Sequence, residues 1–151
     1  MAHYLVRVRT PMPPDEAFAY MADLRNFAEW DPGVDRVDQV EGDGPGLDTS
    51  FDVVVKTFGR SITLRYDTVA YDALNEAVAF AESNLLTSRD TITVRADGSG
   101  SIVTYDAVLK LKGLLGLADP LLGLSFKQIG DRAAAGMIAA LQGERAMETS
   151  A

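Results

Sequence analysis

From about residue 50 to residue 111 the chain alternates apolar and polar residues, and short turns interrupt the alternation. A period of two is typical of strands that bury one face and leave the other in water. The sharpest turn is Asp97–Gly100, with the sequence Asp-Gly-Ser-Gly, which predicts a β-hairpin. Because short turns join antiparallel neighbours, the pattern predicts one antiparallel sheet that is covered on a single face.

Further elements precede this series. A first strand is predicted over residues 3–10 and a weaker one over residues 34–41. Between them lie two short predicted helices. Pro14 suits the first turn of one, and Asp23 offers an N-cap to the other. Asp31-Pro32-Gly33 ends the second helix.

One long amphipathic helix is predicted from Asp119 to about Ala140. Asp119 offers a cap, Pro120 fits the first helical position, and Gly143 is a plausible stop. The apolar stripe of this helix is formed by Leu122, Phe126, Ile129, Ala133, Met137 and Ala140.

A single helix is about 10 Å across and cannot cover the apolar face of a sheet of six to seven strands. Either the sheet curls round the helix, or a cavity remains between the two. The small residues Ala133, Gly136 and Ala140 permit close packing or leave room, and the sequence leaves both alternatives open.

Strand parity predicts polar side chains on the covered face. If Ile92 and Val94 point inward, Asp90 does so as well, and the same counting turns Tyr66 and Tyr105 inward. Glu82 is a further inward candidate by this counting. The alternative is that Asp90 and Glu82 lie near strand ends in solvent, which is favoured for Glu82 and stays open for Asp90. A buried, unpaired carboxylate is costly, but a polar pocket makes it tolerable. Asp90, Tyr66 and Tyr105 are therefore the candidates for any acid–base chemistry.

Composition narrows the function further. With 151 residues, one domain over residues 1–144 is expected, followed by a disordered tail over residues 145–151. A net charge of −8 argues against nucleic acid, and the lack of cysteine together with a single histidine, His3, predicts no metal and no cofactor. No signal peptide or membrane span is expected, and a cytoplasmic monomer or homodimer fits these features.

Three segments carry a resemblance to a known family. They are Pro13–Asp23 (PPDEAFAYMAD), Asn26–Val34 (NFAEWDPGV) and Leu109–Gly113 (LKLKG). With the order of the elements, they resemble the SRPBCC superfamily of START and pollen-allergen-like helix-grip domains, and within it the polyketide cyclase/dehydrase and lipid-transport family. The resemblance implies an α+β fold, a curved sheet wrapped round a C-terminal helix, and a hydrophobic cavity between them. It supplies no universal catalytic motif.

Three functions follow as hypotheses. The first is binding or transport of a hydrophobic, lipid- or polyketide-like small molecule, and the second is a polyketide cyclase or dehydratase. The third is a protein-interaction module that uses the outer sheet face or Leu124 and Ile138. The predicted ligand-binding residues are Phe27, Trp30, Phe51, Val53, Leu64, Tyr66, Phe80, Asp90, Ile92, Tyr105, Leu122, Phe126, Ile129, Ala133 and Met137.

Overall fold

The computed structural model describes residues 2–57, 60–72, 75–113 and 119–146, with the backbone alone at Thr57 and residues 119–124. In chain order the elements are β1 (Ala2–Thr10), α1 (Pro14–Ala22), a short 3-10 helix (Leu24–Asn26), α2 (Phe27–Trp30), β2 (Val34–Glu41), β3 (Ser50–Thr57), β4 (Arg60–Asp72), β5 (Glu76–Glu82), β6 (Leu86–Asp97), β7 (Gly100–Leu111), α3 (Asp119–Leu141) and β8 (Glu144–Arg145).

The strands of the described ranges form one antiparallel sheet in the order β2-β3-β4-β5-β6-β7-β1-β8. The helices and this sheet confirm the predicted α+β helix-grip fold. The hairpin predicted at Asp97–Gly100 joins β6 to β7, with Asp97 paired to Gly100.

The sheet has eight strands within the described residues, one more than the upper predicted number. The additional strand is β8, which pairs with β1 through Val8 and Arg145 and through Arg9 and Glu144. Residue 145, predicted to begin a disordered tail, is therefore in a strand, while the rest of that predicted tail from residue 147 lies outside the described residues.

The short helices begin where their sequences predict. Pro14 occupies the first turn of α1, where its missing N–H costs no hydrogen bond. The Asp23 carboxylate accepts a hydrogen bond from the backbone N–H of Arg25 at 3.1 Å and so caps the 3-10 helix. These two elements carry Phe18, Met21 and Leu24 into the core beneath the sheet.

Helix α3 packs mainly on β1 and α2. A Cβ on Gly136 would overlap the carbonyl oxygen of Trp30, and one on Gly130 would overlap the ring of Tyr4. At Gly136 the small residue therefore serves close packing, which resolves the alternative that the sequence leaves open there. Met137, one residue further along, is fully buried.

Two predictions about the faces of α3 are wrong. Ile129 is predicted on the apolar stripe, but it is 42% exposed, because the helix face turned toward β1 runs through Gly130, Ala133 and Met137. Ile138 is predicted on the outer side, but it is half-buried and packs against the core. The side chains of Asp119, Pro120, Leu122 and Leu124 lie outside the described part of the chain.

Candidate functional site

Four polar side chains meet on the inner face of the sheet. Tyr66 comes from β4, Ser88 and Asp90 from β6, and Tyr105 from β7. All four are buried. Strand register brings them together, since alternate residues of each strand share a face and the strands are held in a fixed antiparallel alignment.

The three hydroxyl groups of this cluster are linked to Asp90. The Tyr105 hydroxyl donates to Asp90 Oδ2 at 2.7 Å. The Tyr66 hydroxyl donates to Ser88 Oγ at 2.9 Å, and Ser88 Oγ donates to Asp90 Oδ1 at 3.3 Å. We call these four residues the Asp90 network.

Burial dominates the electrostatics of the network. Burial raises the pKa of Asp90 to about 6, and the hydrogen bonds from Tyr105 and Ser88 oppose that rise. Burial, followed by the charge of Asp90, raises the pKa of both Tyr66 and Tyr105 well above the usual value, so both remain protonated donors.

The inner-face neighbours of Asp90 across both strands are small. Asp90 pairs with Ala79 on β5 and with Ala107 on β7, and the inner face of β5 consists of Ala77, Ala79 and Ala81. The carboxyl group thus lies over a floor of methyl groups. Larger apolar side chains, Phe51, Val53, Leu64 and Ile92, surround this floor on the same face.

A second buried carboxyl group belongs to Asp31, just after α2. It accepts a hydrogen bond from the backbone N–H of Gly33 at 2.8 Å, and it is 9% exposed. Burial raises the pKa of Asp31 to about 6. The negative charge of Asp31 also raises the pKa of Asp90, Tyr66 and Tyr105, so its charge acts on the network.

Aromatic rings pack beside the Asp90 network. The Trp30 ring packs edge-on against Tyr105 at a centroid distance of 5.2 Å and stacks on Phe27 at 4.7 Å. Trp30 precedes Asp31 in the chain, and Tyr105 donates to Asp90. Trp30 is 2% exposed and is therefore a packing residue within the site.

No buried basic side chain accompanies either carboxyl group. All 14 lysine and arginine residues and the single histidine lie in the described part of the chain, and none of them is buried. The salt bridges seen within those ranges join other acidic residues to these bases. The hydrogen bonds that Asp31 and Asp90 accept there come from neutral donors.

Most of the predicted site residues come together. The structure places Tyr66, Asp90, Tyr105 and Trp30 in one cluster, while Ala133 and Met137 are buried on α3 and Phe126 is half-buried against the core. The side chain of Leu122 lies outside the described residues, and exposed Ile129 is not part of the cluster.

Phe80 and Glu82 point the other way. Phe80 pairs with Asp67 and Arg89, whose exposed side chains mark the outer face, and Glu82 forms an exposed salt bridge with Lys112 at 2.9 Å. The inward placement of Phe80 is wrong, because β5 is apolar on both faces and presents its alanines to the core. The exposed position of Glu82 agrees with the solvated strand end that the sequence favours for it.

Asp31 and Ser88 are not among the site residues that the sequence predicts. For Ser88 the signal is available, since it stands two residues before Asp90 and therefore shares its face. Asp31 gives no such signal, because Asp-Pro-Gly is indistinguishable in sequence from an ordinary exposed turn.

The part of the chain that the structure describes was also compared with what a metal site and a membrane span require. No group of three or more His, Cys, Asp or Glu side chains is arranged there to hold a metal ion. Of the helices there, none has the length and apolar character needed to cross a bilayer.

Solved structures share the fold. A START superfamily protein from Mycobacterium smegmatis matches with a TM-score of 0.76 and 9% identity, over 94% of this chain and 98% of its own. The Zhui aromatase/cyclase from Streptomyces sp. R1128 matches with a TM-score of 0.68 and 15% identity, over 93% of each chain. A protein from Thermus thermophilus matches with a TM-score of 0.68 and 16% identity, over 91% of this chain and 98% of its own.

At such low identities these likenesses concern the fold alone. Comparison with curated protein sequences finds no significant match. The family model described as polyketide cyclase/dehydrase and lipid transport, however, matches residues 1–142. The chain therefore belongs to the polyketide cyclase/dehydrase and lipid-transport family of the SRPBCC superfamily.

Proposed function

We propose that this protein binds a hydrophobic small molecule between the inner face of the sheet and α3, with a polar group of the ligand against the Asp90 network. The observation that carries the proposal is a buried carboxyl group, without a buried basic partner, at the centre of a largely apolar face. Family membership supports the same class of function.

Stability alone does not account for the Asp90 network. Burying a carboxyl group among apolar residues costs free energy even when it is hydrogen-bonded, and apolar side chains of similar volume are often as stable or more so. Such groups are frequent in binding sites, where a few polar groups orient a ligand in an apolar pocket. The alanines that flank Asp90 leave its carboxyl group without bulky neighbours across either strand.

Native mass spectrometry of freshly purified protein tests the proposal first, because a retained ligand appears there as added mass. Calorimetric titration with fatty acids, sterols, aromatic polyketides and hydrophobic amines follows. We expect Ala79→Leu, which fills the floor below Asp90, to abolish binding, whereas Ala96→Leu on an exposed position of β6 leaves it intact. Absence of retained mass and of titratable binding across the panel would contradict the proposal.

A second function, cyclisation or dehydration of a polyketide-like substrate, is favoured by one observation. The pKa of Asp90 near 6 suits proton transfer at neutral pH, and the Tyr105 hydroxyl at 2.7 Å holds the carboxyl group in place. An ionised Asp90 can accept a proton from an activated carbon of the substrate, and the protonated form can return it to a departing hydroxyl.

Comparing the products formed by wild type and variants distinguishes a catalyst from a carrier. A reactive poly-β-carbonyl substrate is incubated with the wild type, with Asp90→Asn and with Tyr66→Phe. If the protein is a catalyst, we expect Asp90→Asn to abolish formation of the specific product and Tyr66→Phe to reduce its yield. Tyr71→Phe is the matched control on the same strand, because no hydrogen bond to the Tyr71 hydroxyl is found among the described residues. Identical profiles for wild type and Asp90→Asn would exclude catalysis by Asp90.

A further inference from the structure

We infer that the ligand of this site carries a protonated amine on an apolar body, and that the ammonium group binds at the Asp90 network and Asp31. The inference rests on the proposed binding function and names the class of ligand. It is carried by the directions of the hydrogen bonds in the network and by the distribution of charge in the chain.

Every hydroxyl proton of the network is already committed. The Tyr105 proton goes to Asp90 Oδ2, the Ser88 proton to Asp90 Oδ1 and the Tyr66 proton to Ser88 Oγ. What remains for a ligand is acceptor capacity on the Asp90 carboxylate, because an ionised carboxylate takes about four hydrogen bonds and this one receives two. The complementary ligand group is therefore a donor.

Asp31 has the same character. Its carboxyl group accepts a hydrogen bond from the backbone N–H of Gly33, and it is buried like Asp90. The charge of Asp31 acts on Asp90, so the two buried carboxyl groups lie near enough to interact. None of the 14 basic side chains of the protein is buried. A ligand that brings a positive charge offsets part of the cost of burying these carboxylates, and a neutral hydroxyl group does not supply that charge.

The surroundings favour a cation as well. Trp30 packs on Tyr105, whose hydroxyl is bonded to Asp90, and aromatic faces attract ammonium groups. The net charge of −8 attracts cationic ligands over a longer range. A carboxylate ligand meets repulsion from both aspartates, and a ketone finds no free donor in the network.

Three compounds with one aromatic body test the inference: naphthylmethylamine, naphthylmethanol and naphthoic acid. Each is titrated by calorimetry into the full chain at pH 7.5 and low salt. We expect the amine to bind about tenfold tighter than the alcohol, because only the amine adds charge compensation, and the acid to bind weakest.

The variants locate the binding. Asp90→Asn keeps the shape of the side chain. It should weaken the affinity for the amine about tenfold and change the affinity for the alcohol little. Asp31→Asn, whose amide oxygen still accepts from Gly33, should have a similar but smaller effect. Asp38→Asn, on an exposed position of β2, is the control for a change in net charge and should leave all three affinities unaltered.

The outcomes distinguish this inference from the function on which it rests. Alcohol or acid binding as tightly as the amine would overturn the inference and leave the proposed function standing. Amine binding that Asp38→Asn weakens as much as Asp90→Asn would assign it to general surface charge and also overturn the inference. No binding of any compound, together with no retained mass in native spectra, would overturn both.

Discussion

The chemistry of Asp90 is set by its immediate neighbours. Tyr105 supplies its shortest hydrogen bond, at 2.7 Å, and the paired residues on both adjacent strands are alanines. The hydroxyl stabilises the charged form, and burial destabilises it by more, so the pKa rises to about 6. The side chain is thus rigidly held while its free acceptor capacity remains available.

Removing the hydroxyl of Tyr105 tests this balance. We expect Tyr105→Phe to lower the free energy of unfolding by about 1–3 kcal/mol at pH 7.5, because the buried Asp90 carboxylate loses a donor. The same change should raise the pKa of Asp90, since that hydrogen bond holds it down. Urea unfolding followed by circular dichroism gives the first quantity, and NMR titration of the Asp90 side chain gives the second.

Tyr71→Phe is the matched control for this prediction. Tyr71 is half-buried on the inner face of β4 against Phe18, and no hydrogen bond to its hydroxyl is found in the described ranges. Its substitution should change the unfolding free energy by less than about 0.5 kcal/mol. Equal losses for the two variants would mean that the Tyr105 hydroxyl contributes nothing specific.

At the residue scale, the sequence predicts which face a side chain occupies wherever strand alternation determines it. Counting from Ile92 and Val94 places Asp90, Tyr66 and Tyr105 inward, and register along β6 and β7 makes that count reliable. The burial of Asp31 cannot be predicted from the sequence, because it depends on how α2 docks, a tertiary contact with no local sequence pattern.

At the scale of elements, the contact between α2 and α3 determines how the helix layer sits on the sheet. The carbonyl group of Trp30, at the end of α2, approaches Gly136 so closely that no side chain fits between them. The Trp30 ring also packs on Tyr105. A shift of α3 would therefore displace Trp30 and change its contact with Tyr105.

Gly136→Ala tests this contact. Alanine is the better helix former by about 1 kcal/mol, so a gain in stability would be expected on propensity alone. We expect instead a net loss of about 1–3 kcal/mol, because the added methyl group overlaps the Trp30 carbonyl oxygen and forces α2 and α3 apart. Thermal and urea unfolding measure the difference.

The control lies one residue earlier on the same helix. Ala135 is exposed, and Ala135→Gly should cost about 1 kcal/mol through helix propensity and nothing through packing. A stabilised Gly136→Ala variant would contradict the close contact and would reopen the alternative that the small residues of α3 leave space.

The elements are largely predictable, and the failures have physical causes. Turn chemistry and alternation predict β1 to β7 and the three helices in order. Phe80 is assigned to the wrong face because both faces of β5 are apolar, which removes the contrast on which parity depends. The two-residue strand β8 has no signal of its own, since pairing with β1 creates it.

At the scale of the whole molecule, basic and acidic side chains differ in how deeply they are buried. The basic side chains lie at the surface or partly so, whereas two aspartates are buried within the helix and sheet layers. Both have a pKa of about 6 in the folded protein against 3.8 in an ordinary setting. The folded state therefore binds more protons than the unfolded chain between about pH 4 and pH 6.

The sign of the pH dependence follows from this difference. Each raised pKa contributes stability that is present below about pH 4 and is lost as the pH rises through about 6, by about 2–3 kcal/mol per group. We expect wild type, measured relative to Asp90→Asn by urea unfolding, to gain stability as the pH falls from 7.5 to about 4.5. A difference that is constant across this range would contradict the raised pKa of Asp90.

The contact of Trp30 with Tyr105 has a practical consequence. Trp30 is the only tryptophan of the chain, and its ring lies 5.2 Å from the ring whose hydroxyl is bonded to Asp90. Indole fluorescence excited at long wavelength therefore comes from this one position, buried within the site itself. The protein carries its own optical reporter, so that emission colour and intensity register what occupies the site without any attached dye.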